Sequence, residues 1–383
     1  MSITGKITIE IRDISKAMPA EQRIRIHSDR KTEIARFLTG KQPNQAIKLL
    51  PTIYSICANA HAGAAVMACN HGQVPEQRKI ADRLIILCEN AREHLLRIFT
   101  SWCNHVHVGF DQIPFHVVMG LVSKMQLATG VRTDRPDARP EISTKQIRQI
   151  AHDLQEFLKA YIFNAPPQHW LDLKTASQLA DWTETTDTVA ARFISHLHAH
   201  NWQSVGSSST RFLPNIPLTE LSARMHASDG DSFTNQPSWQ DKPCETGPFA
   251  RHHNHPLVST LVDKYGSGIL ARQVARLVEL AKIPAEIELL LNTTPSNKSS
   301  RHPVGIGQVE TARGQLTHSV LMTEGRIVDY KILAPTEWNF HQQGVVHDAL
   351  DNLQAKSATE TQKLAAMIVE AIDPCVEFEV RVH

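Results

Sequence analysis

The six cysteines of this 383-residue chain are scattered, and no two of them form a CxxC pair. This distribution argues against a disulfide framework and is typical of the reduced thiols of a cytoplasmic protein. The sequence has no run of about 18 apolar residues, so no membrane span is expected. Its first residues, MSITGKITIEIRD, lack a basic stretch followed by an apolar one, so no secretory signal is expected either.

Net charge is also nearly absent, at +1, with acidic and basic residues well mixed. Nothing in this balance indicates binding to nucleic acid or to an acidic membrane. The hydrophobic content of 42% is enough for a large core. Length alone suggests roughly two or three domains, but single cores of this size exist, and we expect one compact unit over 1–383.

The first strands and the middle of the chain have contrasting patterns. Ile7 alternates with Ile9, and Ile24 with Ile26, which predicts a short antiparallel pair near the N-terminus. By contrast, residues 201–247 are rich in Ser, Pro, Asp, Asn and Gly. That composition predicts long surface loops.

Helices are predicted over much of 45–130 and for a pair around 256–283. The firmest signal is STKQIRQIAHDLQEFLKAYIF, whose apolar residues recur at helical spacing. Ser143 and Gln146 stand at its start in the spacing of a capping box.

The C-terminal region predicts a hairpin over 315–333 that turns at Glu324-Gly325, followed by a helix from about Thr359 to Ala371. Thr359 and Gln362 have the spacing of a capping box. A final strand is predicted because apolar side chains alternate with polar ones at Val376, Phe378, Val380 and Val382.

A cysteine and a histidine stand close together near the N-terminus, as Cys57 and His61 within TIYSICANAH at 52–61. This segment resembles the R-x-C-G-x-C-x-x-x-H motif of nickel–iron hydrogenase large subunits. The second cysteine and the histidine of that motif are present. Tyr54 stands in place of the first cysteine and Thr52 in place of the arginine.

A second segment, DPCVEFEVR at 373–381, resembles the D-P-C-x-x-C-x-x-H motif of the same family. Cys375 is kept, and Phe378 replaces the other cysteine. Each cysteine pair has therefore lost one member, and the four thiolates of the family are reduced to Cys57 and Cys375.

Between the two segments, 304–339 resembles the family's E-A-P-R-G-x-L-x-H run, its G-x-I turn and its P-T-T-W-N segment. The matching residues are Glu310, Arg313, Gly314, Leu316, His318, Gly325, Ile327, Tyr330, Pro335, Thr336, Trp338 and Asn339. The resemblance spans 1–383, and 304–383 is its most family-like part. It implies the large-subunit fold, an α+β fold that is mainly α-helical with small antiparallel β-sheets.

In the family, the four thiolates hold a nickel and an iron that carries one carbon monoxide and two cyanides. Two cysteines cannot build that centre, so we expect no nickel, no hydrogen activation and no enzyme activity. They could complete an Fe(CN)2CO fragment bound transiently, because soft thiolates suit this metal. The resemblance assigns the cyanide contacts to Arg313 and Pro335-Thr336, gives Arg313 a counter-charge in Asp373, and places His61 either near the site or at a helix cap.

The two remaining cysteines do not match the same metal of the family site. Cys57 matches an iron ligand, whereas Cys375 matches a ligand of nickel alone. The iron fragment would therefore sit displaced, or would be held by one cysteine at a time. We expect Arg313 to point into the same pocket and to lower the pKa of the thiols.

These departures are similar to those of the HupK/HoxV-type hydrogenase maturation proteins, which resemble the large subunit but lack part of its ligands. The resemblance implies a cytoplasmic scaffold that receives the Fe(CN)2CO fragment and passes it on. The implied partners are a HypC-type chaperone, a HypD-type protein and the hydrogenase large subunit precursor. The chain ends two residues after Arg381 with no extension to be removed, which fits a protein that never receives nickel. The alternative is a degenerate large subunit that only stabilises a partner and binds no metal.

Two further groups of residues have open interpretations. The histidine clusters at 196–200 and 252–255 could bind nickel or zinc, but we expect solvated surface. The cysteines outside the motifs are predicted to be small core residues, as Cys69, Cys88, Cys103 and Cys244.

Overall fold

The structure is a computed structural model that describes residues 5–12, 19–30, 32–109, 114–133, 135, 138–293 and 304–383. The part of the predicted helical stretch that falls on 110–113 lies outside these ranges. The strands are β1 Lys6–Ile11, β2 Ile24–Ser28, β3 Gly305–Thr311, β4 Gly314–Thr323, β5 Arg326–Leu333 and β6 Glu377–Val382.

The α-helices are α1 Ala20–Arg23, α2 Pro43–Ile53, α3 Ala58–Cys69, α4 Glu76–Arg97, α5 Cys103–Val106, α6 Phe115–Thr129, α7 Thr144–Leu158, α8 Pro167–Leu171, α9 Ala176–Thr185, α10 Val189–Ala199, α11 Leu218–Met225, α12 Gly230–Asn235, α13 Pro248–His252, α14 Pro256–Tyr265, α15 Ile269–Asn292, α16 Pro335–Asn339, α17 Val345–Asp351 and α18 Ala358–Ile372. A 3₁₀ segment covers Thr32–Leu38, and π-helical turns cover Ile98–Trp102 and Lys159–Phe163. The predicted mainly helical α+β class is confirmed.

The two ends of the chain meet in one sheet with the strand order β2-β1-β6. β1 and β2 are antiparallel with Ile9 opposite Ile26, as predicted. β6 instead runs parallel to β1, with Val380 beside Ile9, so the prediction of an antiparallel sheet at the C-terminus is wrong. The alternation that predicted β6 has the same period of two in either direction, and therefore it could not set the orientation.

The second sheet, β3-β4-β5, is antiparallel and lies against α3. Its β4–β5 turn is at Glu324 and Gly325, as the sequence predicted, and their φ angles of 51° and 74° are those of a mirror-image hairpin turn. At Gly307 on β3, a Cβ atom would lie 2.1 Å from the carbonyl oxygen of Ala64. Only glycine allows α3 to come this close to the sheet, and this contact fixes the helix that begins after Cys57.

Helix α15 runs through the centre of the core and packs against α4, α7, α8, α13, α14 and α18. Its first part, 269–281, is buried on all sides, which is typical of a central helix. Four polar side chains are buried on it with the apolar ones, namely Arg272, Gln273, Arg276 and Glu279. Since buried charges require partners, these residues mark where α15 faces the ion-pair networks of the molecule.

Several local predictions need correction. Ser143 precedes α7, but its side chain makes no capping hydrogen bond. The last helix is capped by Ser357, which accepts from the Glu360 amide, and not by Thr359. The segment 201–247 is not only surface loop, because it contains α11 and α12 and buries Ile216, Leu221, Met225, Phe233 and Cys244.

The four cysteines outside the motifs are buried, as predicted for core residues. Among the described helices, none is both long enough and apolar enough to cross a membrane.

Candidate functional site

The structure brings Cys57 and Cys375 to one small cavity from opposite ends of the sequence. Cys57 is the residue from which α3 starts, and Cys375 follows the end of α18. Both thiols are half-buried, and His61 lines the same cavity one helical turn after Cys57. The cavity is small, with a volume of about 40 Å³.

The Pro335-Thr336 segment supports the cavity from behind Cys375. Thr336 donates its hydroxyl to the Cys375 sulfur at 3.0 Å and accepts from the Cys375 amide at 3.3 Å. These two contacts fix the position of the thiol. Pro335 is buried at the first turn of α16 and is not among the residues that line the cavity.

Arg313 is buried next to the cavity but does not line it. Its guanidinium donates to the Pro374 carbonyl at 3.3 Å and to Glu93 at 3.1 Å, and its Nε lies 3.6 Å from the Asp373 carboxylate. Arg313 was expected to point into the cavity; it does not line it, but it lies close enough to interact with both thiols. The carboxylates of Glu93 and Asp373 hold the guanidinium instead, and its contact with Pro374 steadies the segment that carries Cys375.

Asp373 lies at the centre of a buried cluster of arginines. It ends α18 with a φ of 69°, a left-handed conformation that is uncommon outside glycine. Besides Arg313, it pairs with Arg97 and lies 3.6 Å from Arg276. Although burial pushes the pKa of Asp373 upward, the charges of Arg313, Arg97 and Arg276 hold it well below its usual value. Burial lowers the pKa of Arg276 to about 10.

The pKa of the Cys57 thiol is raised, first by burial and then by the charges of Cys375 and Glu89. Arg313 does act in the expected direction, but its effect is smaller, so the expected net lowering is wrong. The free backbone amides at the start of α3 could have stabilised a Cys57 thiolate and lowered its pKa. They do not, because the amides of Asn59 and Ala60 donate to the Glu89 carboxylate instead, at 3.1 Å and 3.0 Å. Without a bound metal, Cys57 is therefore a neutral thiol.

One face of α4 supplies three of these partners, a feature that the sequence analysis missed. Glu89, Glu93 and Arg97 are four residues apart, so they lie above one another on the helix. They contact the start of α3, Arg313 and Asp373, respectively. Charged residues repeating at this spacing within the predicted helical stretch were the available signal.

Arg30 was also missed, because no local motif marks it. It follows β2 and lines the cavity, where it forms an ion pair of 2.8 Å with Glu337. Its side chain is only 9% exposed. Burial acts to lower its pKa, but the charges of Cys375, Glu337 and Cys57 outweigh that effect and raise the pKa above its usual value. Arg30 and Arg313 both lie close enough to interact with the two thiols, and Arg30 is the one that lines the cavity.

His61 connects the cavity to a buried hydrogen-bonded chain. Its Nδ1 lies 2.9 Å from the Nε2 of His318, whose Nδ1 lies 2.8 Å from the Tyr330 hydroxyl. The ring of Tyr54 stacks on His61 with centroids 4.1 Å apart. Burial lowers the pKa of His318 to about 3, and it also lowers that of His61. His61 is therefore held neutral inside α3, and the alternative of a helix cap does not apply.

The two histidine clusters differ from simple solvated surface. In the second cluster, His252 is half-buried and lies 3.1 Å from the Glu279 carboxylate. In the first, the rings of His196 and His200 are 4.2 Å apart. Burial lowers the pKa of His196 to about 4, together with the charge of His200 and smaller effects of other nearby cations.

Comparisons with known proteins show which family the chain resembles. The family model for nickel-dependent hydrogenases matches residues 145–380. The chain is 25% identical to the hydrogenase expression/formation protein HupK of Azotobacter vinelandii, over 91% of both chains. It is 26% identical to the hydrogenase expression/formation protein HoxV of Cupriavidus necator, over 90% of this chain and 89% of the other.

The fold is also that of solved hydrogenases. The Ni-Fe-Se hydrogenase of Desulfovibrio vulgaris Hildenborough superposes with a TM-score of 0.63 at 16% identity, over 92% of each chain. An NAD⁺-reducing [NiFe]-hydrogenase superposes with a TM-score of 0.57 at 17% identity, again over 92% of each chain. Since the family model matches more than half of the sequence, the chain belongs to the nickel-dependent hydrogenase family and has its large-subunit fold.

Proposed function

We propose that this protein is a hydrogenase maturation scaffold that transiently binds an Fe(CN)2CO fragment through Cys57 and Cys375. The observation that carries the proposal is the meeting of both thiols and Arg30 in one cavity. The names of the relatives, hydrogenase expression/formation proteins, support a role in maturation in general.

The thiols suit an iron that already carries other ligands. Within the described ranges, no group of three or more His, Cys, Asp or Glu side chains is placed to hold a metal ion. A bare divalent ion usually needs about four protein ligands in a closed site. An iron with three diatomic ligands needs fewer, and two soft thiolates are the right type. Because the pKa of Cys57 is raised, binding must release its proton, and affinity should increase with pH.

Arg30 takes the part that the family resemblance assigns to Arg313. Its guanidinium faces the thiols, and a bound cyanide presents a nitrogen lone pair that requires a donor in a dry site. Arg313 acts on the iron site indirectly. It donates to the Pro374 carbonyl and thereby positions Cys375, the next residue. In the empty protein, Glu337 is the counter-charge of Arg30.

Loading requires a route from the protein surface into this small cavity. The cavity shares Arg30, Ile34 and Glu337 with an open groove of about 1030 Å³. The Arg30–Glu337 ion pair stands at the boundary between the two. Its separation would join them, and the groove is where a partner would deliver or collect the fragment.

The partners in this proposal are a HypC-type chaperone and a HypD-type protein as donors, and the hydrogenase large subunit precursor as the acceptor. The test is infrared spectroscopy of the protein purified from a host that carries out hydrogenase maturation. We expect iron-linked cyanide and carbonyl bands that co-purify with the protein. A preparation that restores maturation in a deletion host but never shows these bands supports the rival, a partner-stabilising protein without metal.

The purified protein is expected to contain no stoichiometric nickel and to reduce no dye with hydrogen. The physical reason is the replacement of two of the family's four thiolates by Tyr54, a poor nickel ligand, and by Phe378, which cannot bridge two metals. Elemental analysis measures the nickel content, and a hydrogen-uptake assay measures dye reduction. One nickel per chain together with hydrogen-dependent dye reduction would contradict the proposal as a whole.

A further inference from the structure

Behind the thiol cavity lies a buried chain of three polar side chains, Tyr330, His318 and His61, to which the proposed function has given no task. Tyr330 and His318 lie on the neighbouring strands β5 and β4, and His61 reaches them from α3. All three are almost completely buried. Of the three, only His61 lines the cavity. The chain therefore connects the interior of the protein to the place where the two thiols meet.

The hydroxyl of Tyr330 sets the direction of the hydrogen bonds in this chain. A hydroxyl in a dry interior needs an acceptor for its hydrogen, because a buried polar group without a partner is costly. Among the described residues, the only hydrogen-bond partner of this hydroxyl is the Nδ1 of His318, at 2.8 Å. Tyr330 therefore donates to His318, and the Nδ1 of His318 carries no hydrogen of its own.

The same direction continues to His61. Burial lowers the pKa of His318 to about 3 and also lowers that of His61, so each ring is neutral and carries one hydrogen. His318 carries its hydrogen on Nε2 and donates it to the Nδ1 of His61 at 2.9 Å. His61 then carries its own hydrogen on Nε2. The opposite direction would leave the Tyr330 hydroxyl without an acceptor in the described part of the chain.

The Nε2–H group of His61 is a donor at the thiol cavity that has no acceptor in the empty protein. Because the Nδ1 edge of the ring is turned to His318, the opposite edge is the one that lines the cavity. Within the described ranges, no residue accepts from Nε2, and this atom keeps accessible surface. The ring of Tyr54 stacks on His61 at 4.1 Å with an angle of 7° between the planes, which fixes the direction of the N–H group.

We propose that Tyr330 and His318 fix His61 as a hydrogen-bond donor to a cyanide nitrogen of the iron fragment, an inference that rests on the proposed function. An iron-bound cyanide carries negative charge on its nitrogen, so it is the acceptor that this N–H group lacks. The oxygen of a bound carbonyl is a much weaker acceptor. His61 is then a binding residue, whereas His318 and Tyr330 are positioning residues that act through it.

This donor would also orient the fragment in the cavity. The fragment has two cyanides and one carbonyl, and Arg30 is the donor to one of the cyanides. His61 meets the second cyanide. The remaining wall of the cavity is apolar, since it is formed by side chains such as Ile53, Ile332 and Val376, and it suits the carbonyl. Two polar donors and one apolar wall therefore match the three diatomic ligands.

The first measurement needs no iron. Long-range proton–nitrogen NMR of the empty protein, labelled with nitrogen isotope in its histidines, distinguishes the two tautomers of each neutral ring. The signals of His61 are identified as those that disappear in His61→Phe. We expect its hydrogen on Nε2. A hydrogen on Nδ1 would overturn the proposal, whatever the protein does with iron.

The second measurement is infrared spectroscopy of the full-length protein after loading in a maturation-competent host. His61→Phe keeps an aromatic ring on Tyr54 but loses the donor, so one cyanide band should move to lower wavenumber and the yield of the fragment should fall by about tenfold. His61→Gln offers an amide N–H in place of Nε2 and should reverse part of both effects. Tyr330→Phe should move the same band, because His318 can then carry its hydrogen on Nδ1 and leave the Nε2 of His61 without one.

Tyr161→Phe is the matched control, since it removes the same hydroxyl from an exposed tyrosine and should leave both cyanide bands in place. Circular dichroism of each variant checks that the fold is kept. Bands that stay unchanged in both His61→Phe and Tyr330→Phe would overturn the donor role and leave the iron proposal intact. Wild-type protein without any bands would overturn the iron proposal and this contact with it, so the two failures are distinguishable.

Discussion

Replacement of Cys57 and Cys375 together by alanine is expected to abolish the iron-linked cyanide and carbonyl bands and to stop maturation of the dependent hydrogenase. The two sulfurs are the soft ligands of the cavity, and Thr336 holds one of them in place with a hydrogen bond of 3.0 Å. Loss of a single support around a metal ligand typically lowers affinity by about 10–100-fold. Each single variant removes a ligand itself and should reduce the bands by at least about tenfold.

The matched control is Cys69→Ala. Cys69 is a buried cysteine at the other end of α3, the same helix that starts after Cys57. Like the motif variants, Cys69→Ala removes one cysteine sulfur, but it leaves the thiol cavity intact. The infrared bands and hydrogenase activity should therefore match those of the wild type. If instead both motif variants support full maturation while remaining folded, the thiols are not ligands and the metal-free scaffold is the better description.

The most local features of the fold were predictable from the sequence. The place of the hairpin turn at Glu324 and Gly325 follows from the glycine between two apolar segments, and α7 follows from its apolar spacing. The direction of β6 was not predictable, because the period of alternation is the same in parallel and antiparallel strands. Direction depends on how the whole chain returns to β1, and no local pattern records that path.

In the candidate site, too, residues in local motifs were predictable, whereas residues defined by long-range contacts were not. Cys57 and Cys375 were identified because they lie in motifs, and the structure places them at one cavity. Arg30 and Glu93 were missed, since each acquires its role only from contacts with residues far away in sequence. The orientation of Arg313 could not be derived for a related reason. An arginine in a buried region turns towards whichever carboxylates are nearest, and those of Glu93 and Asp373 are known only from the packing of α4 and α18.

The largest expected effect on stability concerns Asp373, which is 2% exposed and is surrounded by Arg313, Arg97 and Arg276. We expect Asp373→Asn to destabilise the protein at pH 7 by about 3–5 kcal/mol, because it leaves buried cations without their counter-charge. Asparagine tolerates the left-handed backbone of this position, so the loss reports the charge and not the conformation. The measurement is the shift of the urea denaturation midpoint, followed by circular dichroism.

The pH dependence of this difference provides an independent check. Because the pKa of Asp373 is lower in the folded protein than in the unfolded chain, its contribution is fully present above the unfolded value of about 3.9 and is lost as the pH falls below it. The wild type and Asp373→Asn should therefore converge in stability as the solution is acidified below about pH 4. Asp229→Asn is the matched control, since Asp229 pairs with Arg224 at the exposed surface and its loss should not shift the midpoint measurably. A difference between wild type and Asp373→Asn that stays constant with pH would show that the carboxylate charge is not what stabilises this turn.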